Sequence, residues 1–343
     1  MTNSPGSLRH VVLGIFAHDE AEGIAAMISG LAGQDILGDP ALSVRILLLA
    51  NGCRDDTADR ARSASAGTAL EDVFEVVEGG KSRTWNAFAH DLAGPEAEVL
   101  VFCDTDIAFP DPTTLRRLVG FLTDYPDLVA VSSRPVKNIT HTPPASLSLS
   151  DKLTSAAGGT LNDWRRSICG QLYAMRAEAA RGFHLPIGLP VEDGFVRAMI
   201  TTNVLSEEPK YTKIDGSDDI FHIYRSERGI RSLLNHSTRI VIGSAMNAVL
   251  FGHLRSSAVD DPRAELSLAA NDPGWLDRRM SDTLPTARYG YVPWHFLTKR
   301  ISRFPQQKSA RKRLILLAGF GFDAIVWVMA QLRMARGAGA GYW

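Results

Sequence analysis

Residues 99–109 read VLVFCDTDIAF, so a short apolar run ends in two aspartates, Asp104 and Asp106, with one threonine between them. An apolar run of this length is typical of a buried strand. The two carboxylates repel each other unless a cation offsets their charge. Asp also favours turns, so a solvated turn that caps the strand would explain the same residues. The segments on either side decide between a cation site and a turn.

Five apolar runs occupy the first 135 residues, and helical patterns follow most of them. The runs are 10–17, 44–50, 74–80, 98–103 and 128–135. Strands that alternate with helices predict an α/β fold, and strands that are apolar throughout predict a mostly parallel sheet flanked by helices. The second half is less regular. Residues 138–166 indicate a loop with a helix in it, 168–183 and 189–202 have helical patterns, and 219–252 indicates a strand followed by helices.

Polar clusters follow four of these predicted strands. They are His18-Asp19-Glu20, Asn51-Gly52, Gly79-Gly80-Lys81 and Asp104-Thr105-Asp106. In open α/β sheets ligands bind outside the carboxyl ends of the strands, so the four clusters outline one site. A hard divalent cation, Mg²⁺ or Mn²⁺, is the natural partner of the two aspartates, and such ions also bind substrate phosphates.

Charge and cysteine content limit the remaining possibilities. The chain has 343 residues and a formal net charge of -1, which gives no electrostatic reason to expect a nucleic-acid partner. Its three cysteines lie far apart in the sequence, so we expect a reducing cytoplasm and neither a disulfide framework nor a zinc site. Acidic residues appear too early at the N-terminus for a signal peptide.

The C-terminal region contains an apolar stretch from Leu314 to Leu332 with Arg and Lys on both sides. It is about long enough to cross a bilayer, but Asp323 in its middle would cost about 2.5–3.5 kcal/mol there. Three interpretations stay open: a terminal helix packed on the protein core, a helix lying on or in a membrane, and a true membrane span. The second would make the protein peripheral on the cytoplasmic face.

The segments IFAHDEAEGI, LLLANGCRDDTADRAR, GGKSRTWNAFAH, VLVFCDTDIAFPDPTTLRRL and LPVEDGF occur in an order that resembles glycosyltransferase family 2. The resemblance covers about residues 10–250. It implies the GT-A fold, a Rossmann-like α/β fold, and transfer of sugars from nucleotide donors with inversion. It also divides the chain into a catalytic domain over 1–250, with a nucleotide-sugar half to about 135 and an acceptor half from about 136, and a C-terminal helical extension over 251–343.

The resemblance assigns a donor site to residues at the strand ends. Asn51 stands where the family has a base-contacting Asp, and an amide offers a donor as well as an acceptor. The implied donor-binding residues are Phe16, Ala17, His18, Glu20, Asn51, Lys81, Arg83, Asn86, Asp104, Thr105 and Arg239.

The resemblance also implies the metal ligands and the catalytic base. Asp106 and Asp104 match the family's metal motif, with His222 and His236 as candidates for a further ligand. Glu192 and Asp193 match the family's Glu-Asp motif, in which Asp is the general base. Inverting transfer needs one base to take the proton of the attacking hydroxyl. A helix N-terminus that favours negative charge would also explain this pair.

Residues 236–240 keep only Arg239 of the Gln-x-x-Arg-Trp motif of processive members, which favours addition of a single sugar. The expected partners are a nucleoside-diphosphate sugar and a carbohydrate or lipid-linked acceptor. Two other classes stay open, a non-catalytic GT-A protein that binds nucleotide or carbohydrate, and a haloacid-dehalogenase-like phosphatase with Asp104 as nucleophile. The phosphatase motif normally opens a chain, whereas three predicted strand-helix units precede it here. A nucleotidylyltransferase would need a Gly-rich basic loop after the first strand, which FAHDEAEGI is not.

Overall fold

The computed structural model describes residues 9–142, 163–225, 229–283, 291–298, 300–307 and 309–336. The loop and helix predicted within 138–166 fall largely outside these residues. The four residues Asn138–His141 form a short helix.

The described residues contain ten strands, numbered in chain order. They are His10–Ala17 (β1), Ser43–Asn51 (β2), Leu70–Val76 (β3), Val99–Asp104 (β4), Ile107–Ala108 (β5), Ala130–Ser132 (β6), Arg134–Lys137 (β7), Leu172–Arg176 (β8), Ile214–Asp215 (β9) and Phe221–Tyr224 (β10). Seven form a central sheet in the order β3-β2-β1-β4-β8-β6-β9, in which only β8 runs antiparallel to its neighbours. This mostly parallel sheet confirms the predicted fold class.

Twelve α-helices are likewise numbered in chain order within the described residues. They are Ile24–Ala32 (α1), Thr57–Ser65 (α2), Lys81–Asn86 (α3), Thr114–Asp124 (α4), Asn138–His141 (α5), Ala177–Arg181 (α6), Glu192–Thr201 (α7), Ile230–Leu254 (α8), Pro262–Asn271 (α9), Trp275–Thr283 (α10), His295–Thr298 (α11) and Ala310–Ala335 (α12). A π-helical turn, Ala87–Leu92, continues α3.

Apolar side chains cover both faces of the sheet, as parallel strands require. In β1, Val12 and Phe16 point into one core, while Val11, Leu13 and Ile15 point into the other. The first core also includes residues of α8 and α12, so the C-terminal helices pack on the same body as the sheet. The boundary predicted at residue 250 falls inside α8, and the division into domain and extension stays a prediction.

Three elements differ from the sequence expectation. The third predicted strand, 74–80, begins and ends four residues earlier, at Leu70–Val76. The predicted strand 128–135 divides between β6 and β7, which belong to different sheets; β7 pairs with β10 in a three-stranded sheet of order β5-β10-β7. The helical pattern predicted over 168–183 is wrong for residues 172–176, because they form β8 in the middle of the main sheet. A short buried run has no periodicity that separates a strand from a helix.

Candidate active site

Lys81 begins α3, and its ammonium group lies between two carboxylates from other elements. Nζ is 2.8 Å from Oδ2 of Asp104 at the end of β4 and 2.9 Å from Oε1 of Glu192 at the start of α7. Burial opposes the charge on Lys81, but the surrounding carboxylates hold its pKa well above the ordinary value. Burial also opposes the charge on Glu192, whose pKa Lys81 nevertheless keeps below its usual value. We call these three residues the ion-paired triad.

Asp193 follows Glu192, but its pKa is shifted in the opposite direction. Burial, reinforced by the charge of Glu192, raises the pKa of Asp193 to about 7. Gly170 lies against it so closely that a Cβ at that position would overlap the Asp193 carboxylate. Asp193 is therefore a carboxylate in a fixed place that can take up a proton near neutral pH.

Asp104 and Asp106 lie on either side of Thr105 at the end of β4. Burial raises the pKa of Asp104 to about 6, and the charge of Asp106 adds to the shift. Oδ2 of Asp104 accepts from Lys81, while Oδ1 is buried and has no hydrogen-bond partner among the described residues. Asp106 is exposed. The pair thus offers one unused buried oxygen beside an open carboxylate.

Asn51 ends β2 and is fully buried. Its Oδ1 accepts from the backbone N–H of Gly80 at 2.7 Å, while Nδ2 has no partner within the described ranges. The backbone oxygen of Asn51 lies 2.6 Å from Nδ1 of His18, and because a carbonyl only accepts, Nδ1 of His18 carries the hydrogen. Asn51 therefore joins the ends of three elements, β1, β2 and the turn before α3.

Two glycines allow these turns to meet. Gly52 has φ +57°, and a Cβ there would lie 2.6 Å from the Cα of Gly79. Any side chain at Gly52 would force the turn after β2 away from the turn that precedes Lys81.

The other predicted donor residues near β1 and β4 are in place around this edge. Phe16 and Ala17 are buried at the end of β1, and Thr105 donates weakly to the backbone oxygen of Phe16 at 3.4 Å. Burial raises the pKa of Glu20, and the charge of Asp106 raises it further. Glu20 and Asp106 therefore face the same region.

Arg239 on α8 lies on the other side of the site. Its charge lowers the pKa values of Glu192 and Asp193, and its Nε is buried with no partner in the described part of the chain. His236, one turn earlier on α8, is exposed. Arg83 pairs with Glu78 at 2.9 Å.

Two of the predicted site residues, Asn86 and His222, make hydrogen bonds within the protein. The side-chain amide of Asn86 exchanges two hydrogen bonds of 2.8 Å with the backbone of Leu185, which fixes α3 to that segment. His222 is fully buried; Nδ1 lies 2.9 Å from Oγ of Ser133 and Nε2 lies 3.2 Å from Oε1 of Gln171. Burial lowers the pKa of His222 to about 3. With both nitrogens engaged, His222 is not available as a metal ligand.

The sequence did not reveal two features near the site: a cluster of possible metal ligands, and Gly170, which lies against Asp193. Possible ligand atoms of Asp19, Cys53 and Asp55 all lie within 4.8 Å of one another. Asp19 and Asp55 accept backbone hydrogen bonds from Arg54 and Ala21, so the cluster stabilises the adjoining turns. Gly170 was missed because a single glycine before a strand gives no signal in one sequence.

Replacing Gly170 by Ala is expected to reduce turnover by about 10²-fold, because a displacement of about 1 Å at a catalytic group costs this much. The added methyl group would push the Asp193 carboxylate from its place. The matched control is Gly120→Ala on α4, where an added Cβ meets nothing within 4 Å. The control should keep full activity and gain up to about 1 kcal/mol of stability in urea unfolding. Equal activity of the two variants would contradict the position of Asp193.

A mostly parallel sheet with carboxylates and a lysine at the carboxyl ends of its strands agrees with the predicted GT-A fold. Residues 13–182 match the model of glycosyl transferase family 2, and the chain belongs to that family through this domain. The predicted family and enzyme class are thereby confirmed. The phosphatase and the non-catalytic binding protein are set aside.

One solved structure supports the fold, and a second, more distant one is also similar. A mannosyltransferase from Pyrobaculum calidifontis, PcManGT in complex with GDP-Man and Mn²⁺, is 16% identical with a TM-score of 0.52, and the match covers 96% of this chain and 90% of that one. Glucosyl-3-phosphoglycerate synthase from Mycobacterium tuberculosis is 18% identical with a TM-score of 0.48, over 73% of this chain and 82% of that one. No curated protein matches the chain in sequence.

Proposed function

We propose that the protein transfers one sugar from a nucleoside-diphosphate sugar to an acceptor hydroxyl with inversion, and that Asp193 is the general base. The observation that carries the proposal is the half-buried Asp193, whose pKa is raised to about 7 beside the ion-paired triad. A base works best when its pKa lies near the working pH. Glu192 differs, because Lys81 keeps it ionised and engaged. Its role is to hold Lys81 and α7 in position.

Asp106 and Asp104 would hold a divalent cation, Mg²⁺ or Mn²⁺. The residues fit such an ion, because Oδ1 of Asp104 is a buried oxygen without a partner in the described ranges and the Asp106 carboxylate is exposed next to it. The neighbour from Pyrobaculum calidifontis binds Mn²⁺ together with GDP-Man. When bound, the ion would offset the charge that develops on the leaving diphosphate. His236 is exposed on α8 and stays a candidate for a further contact.

The remaining cations of the site suit a diphosphate. Lys81 and Arg239 both lower the pKa of Glu192, so two positive charges lie near this carboxylate. Nε of Arg239 has no partner among the described residues and would donate to the phosphates, whereas Lys81 would attract them while it stays paired with Asp104 and Glu192. The nucleoside would lie along Phe16, Ala17, His18 and Asn51, with Glu20, Arg83 and Thr105 at its border, while Asn86 supports α3 from behind.

The acceptor that we propose is a carbohydrate or lipid-linked hydroxyl of a cell-envelope glycan. The enzyme would work in the cytoplasm, peripheral to the inner face of the membrane. One helix, Arg313–Ala335, is long and apolar enough to cross a bilayer by length and composition alone. Only 11% of its most apolar stretch is buried in the protein, which supports contact with something outside the chain.

The experiment that tests the proposal is a panel of nucleotide sugars incubated with the protein, with and without Mn²⁺, and scored by release of nucleoside diphosphate. Slow metal-dependent hydrolysis of one donor is expected even without an acceptor, because water can take the place of the hydroxyl. Inversion is then read from the anomeric configuration of the released sugar. No release from any donor, with a folded protein, would contradict the proposal.

Replacing Asp106 by Ala is expected to remove the metal-dependent part of ligand stabilisation. Wild-type protein should melt at a higher temperature when Mn²⁺ and a nucleoside diphosphate are added together, since a ligand that binds the native state raises its stability. Asp127→Ala, an exposed carboxylate on a distant turn, is the control and should behave like wild type. A thermal shift in Asp106→Ala as large as that of wild type would contradict the metal site.

The pH dependence of kcat/KM should report Asp193. Because a base must be deprotonated, kcat/KM is expected to rise as the pH rises through about 7, the pKa of the Asp193 carboxyl. An ordinary exposed aspartate has a pKa of 3.8 and would give the rise near that pH. A profile that is flat from pH 5 to 8 would therefore exclude Asp193 as the base, and the measurement needs only nucleoside-diphosphate release across a buffer series.

A further inference from the structure

The outer face of α12 is apolar and exposed from Leu314 to Leu332. Leu314 is 68%, Ile325 52% and Leu332 52% exposed. On the opposite face Val326 and Ala330 are buried against the protein. The protein itself covers only one apolar face of α12, and the other apolar face is left exposed.

Seven exposed apolar residues share one side of the helix, while Ile315, 60% exposed, lies about 100° away. The seven are Leu314, Leu317, Ala318, Gly321, Ile325, Val328 and Leu332, and we call them the α12 stripe. Their spacing of three and four residues places them in one line about 27 Å long at 1.5 Å per residue. No charged side chain interrupts the stripe. Trp294, 59% exposed, packs against Trp327 on the other side of α12, with ring centroids 6.0 Å apart.

The one acidic residue of α12 is neutralised within the protein. Asp323 lies away from the stripe and receives two hydrogen bonds from Arg300, Nε to Oδ2 at 2.7 Å and Nη2 to Oδ1 at 3.1 Å. Because of this pair, Asp323 is not an isolated carboxylate in an apolar helix. The stripe can therefore enter an apolar medium without taking an unpaired charge with it.

Charge is distributed unevenly along the chain. Residues 299–343 contain nine Lys and Arg and a single Asp, whereas residues 1–298 contain 28 basic and 37 acidic residues. Arg313 and Arg336, one at each end of α12, are exposed. An apolar stripe within a basic segment complements a surface that is apolar inside and anionic outside, which is the surface of a bilayer containing anionic lipids.

We infer that α12 lies in the plane of an anionic lipid surface, with the α12 stripe inserted among the acyl chains and the basic residues at the headgroups. This deepens the location proposed above and rests on it. The other side of the helix is held by the protein, because Trp327 Nε1 and Gln331 Nε2 donate to the backbone oxygen of Val292 at 3.2 and 3.0 Å. A helix crossing the bilayer would lose these contacts.

Docking in this way brings the site close to the lipid. Arg333 near the end of α12 donates to Asn235 of α8 at 2.6 Å, and Arg239 follows one turn later on the same helix. The acceptor side of the site would therefore face the membrane surface, where a lipid-linked hydroxyl is presented.

Vesicle flotation of the full chain tests the inference. The probes are phosphatidylcholine vesicles with and without phosphatidylglycerol, at low and high salt. Wild type should float with the anionic vesicles, less with neutral ones, and less at high salt, because exposed charges are screened. Ile325→Asp/Val328→Asp should reduce binding by about tenfold or more. Leu268→Asp, an equally exposed apolar residue on α9, is the control and should leave binding unchanged.

Each other outcome overturns the inference. Equal flotation of the stripe variant and wild type would show that the stripe does not touch lipid. A stripe variant that changes from dimer to monomer in solution, with wild type indifferent to vesicles, would mean that a second copy covers the stripe. Wild-type protein that stays in cell membranes after alkaline carbonate extraction would mean that α12 spans the bilayer. Donor hydrolysis, followed in the same samples without vesicles, reports the proposed reaction separately.

Discussion

Replacing Asp193 by Asn is expected to reduce sugar transfer by about 10²–10⁴-fold, the range that a general base contributes. Asn keeps the shape of the side chain beside Gly170 but cannot accept the proton of the attacking hydroxyl. Donor binding should stay within a few-fold of wild type, since Asp104 and Asp106 are unchanged. The measurements are nucleoside-diphosphate release in the presence of acceptor and titration of the donor with Mn²⁺ at equilibrium.

The control is Asp282→Asn, which removes an exposed carboxylate from α10. It should match wild type in both measurements. If Asp193→Asn loses donor binding and transfer to the same extent, Asp193 holds the donor and the assignment as base is wrong. The stability of Asp193→Asn separates both outcomes from misfolding. Relative to wild type, it should increase as the pH rises from 3.8 to about 7 and stay higher above that, because the folded protein disfavours ionisation of the wild-type carboxyl.

The strands on the donor side of the fold can be predicted from the sequence because each has a local sequence pattern. The runs that become β1, β2 and β4 are apolar on both faces, and the chain reverses at glycines and aspartates directly after them. The middle of the sheet follows a different rule. β8 lies antiparallel between β4 and β6, and its pairing with Val99–Cys103 depends on contacts remote in sequence. No local pattern encodes them.

The candidate site likewise has residues that the sequence identifies and contacts that it does not. Asp104, Lys81, Glu192 and Asp193 are identifiable as polar residues that follow apolar runs or begin a helix. The pairing of Lys81 with Glu192 is not, because it depends on how α7 is placed over the sheet. Likewise the cost that the sequence assigns to Asp323 disappears only when Arg300 is seen beside it. Buried ion pairs formed by remote residues are the part of the site that needs the structure.

Replacing Lys81 by Met is expected to destabilise the protein by about 3–5 kcal/mol and to abolish transfer, because it leaves Asp104 and Glu192 as buried carboxylates without their cation. The control Lys210→Met breaks an exposed pair with Glu207 and should cost at most about 1 kcal/mol. Urea unfolding at neutral pH measures both.

The pH dependence of the stability lost in Lys81→Met identifies the cause of that loss. Lys81 lowers the pKa of Glu192, so the stability contributed by this pair is present above the unfolded value of 4.5 and is lost as the pH falls through the lower folded value. The difference between wild type and Lys81→Met should therefore shrink in acid, where the carboxyls are protonated. The double variant Lys81→Met/Glu192→Gln should recover part of the stability at neutral pH but none of the transfer. A loss that is independent of pH, and that Glu192→Gln does not relieve, would mean that Lys81 acts by packing its stem rather than by its charge.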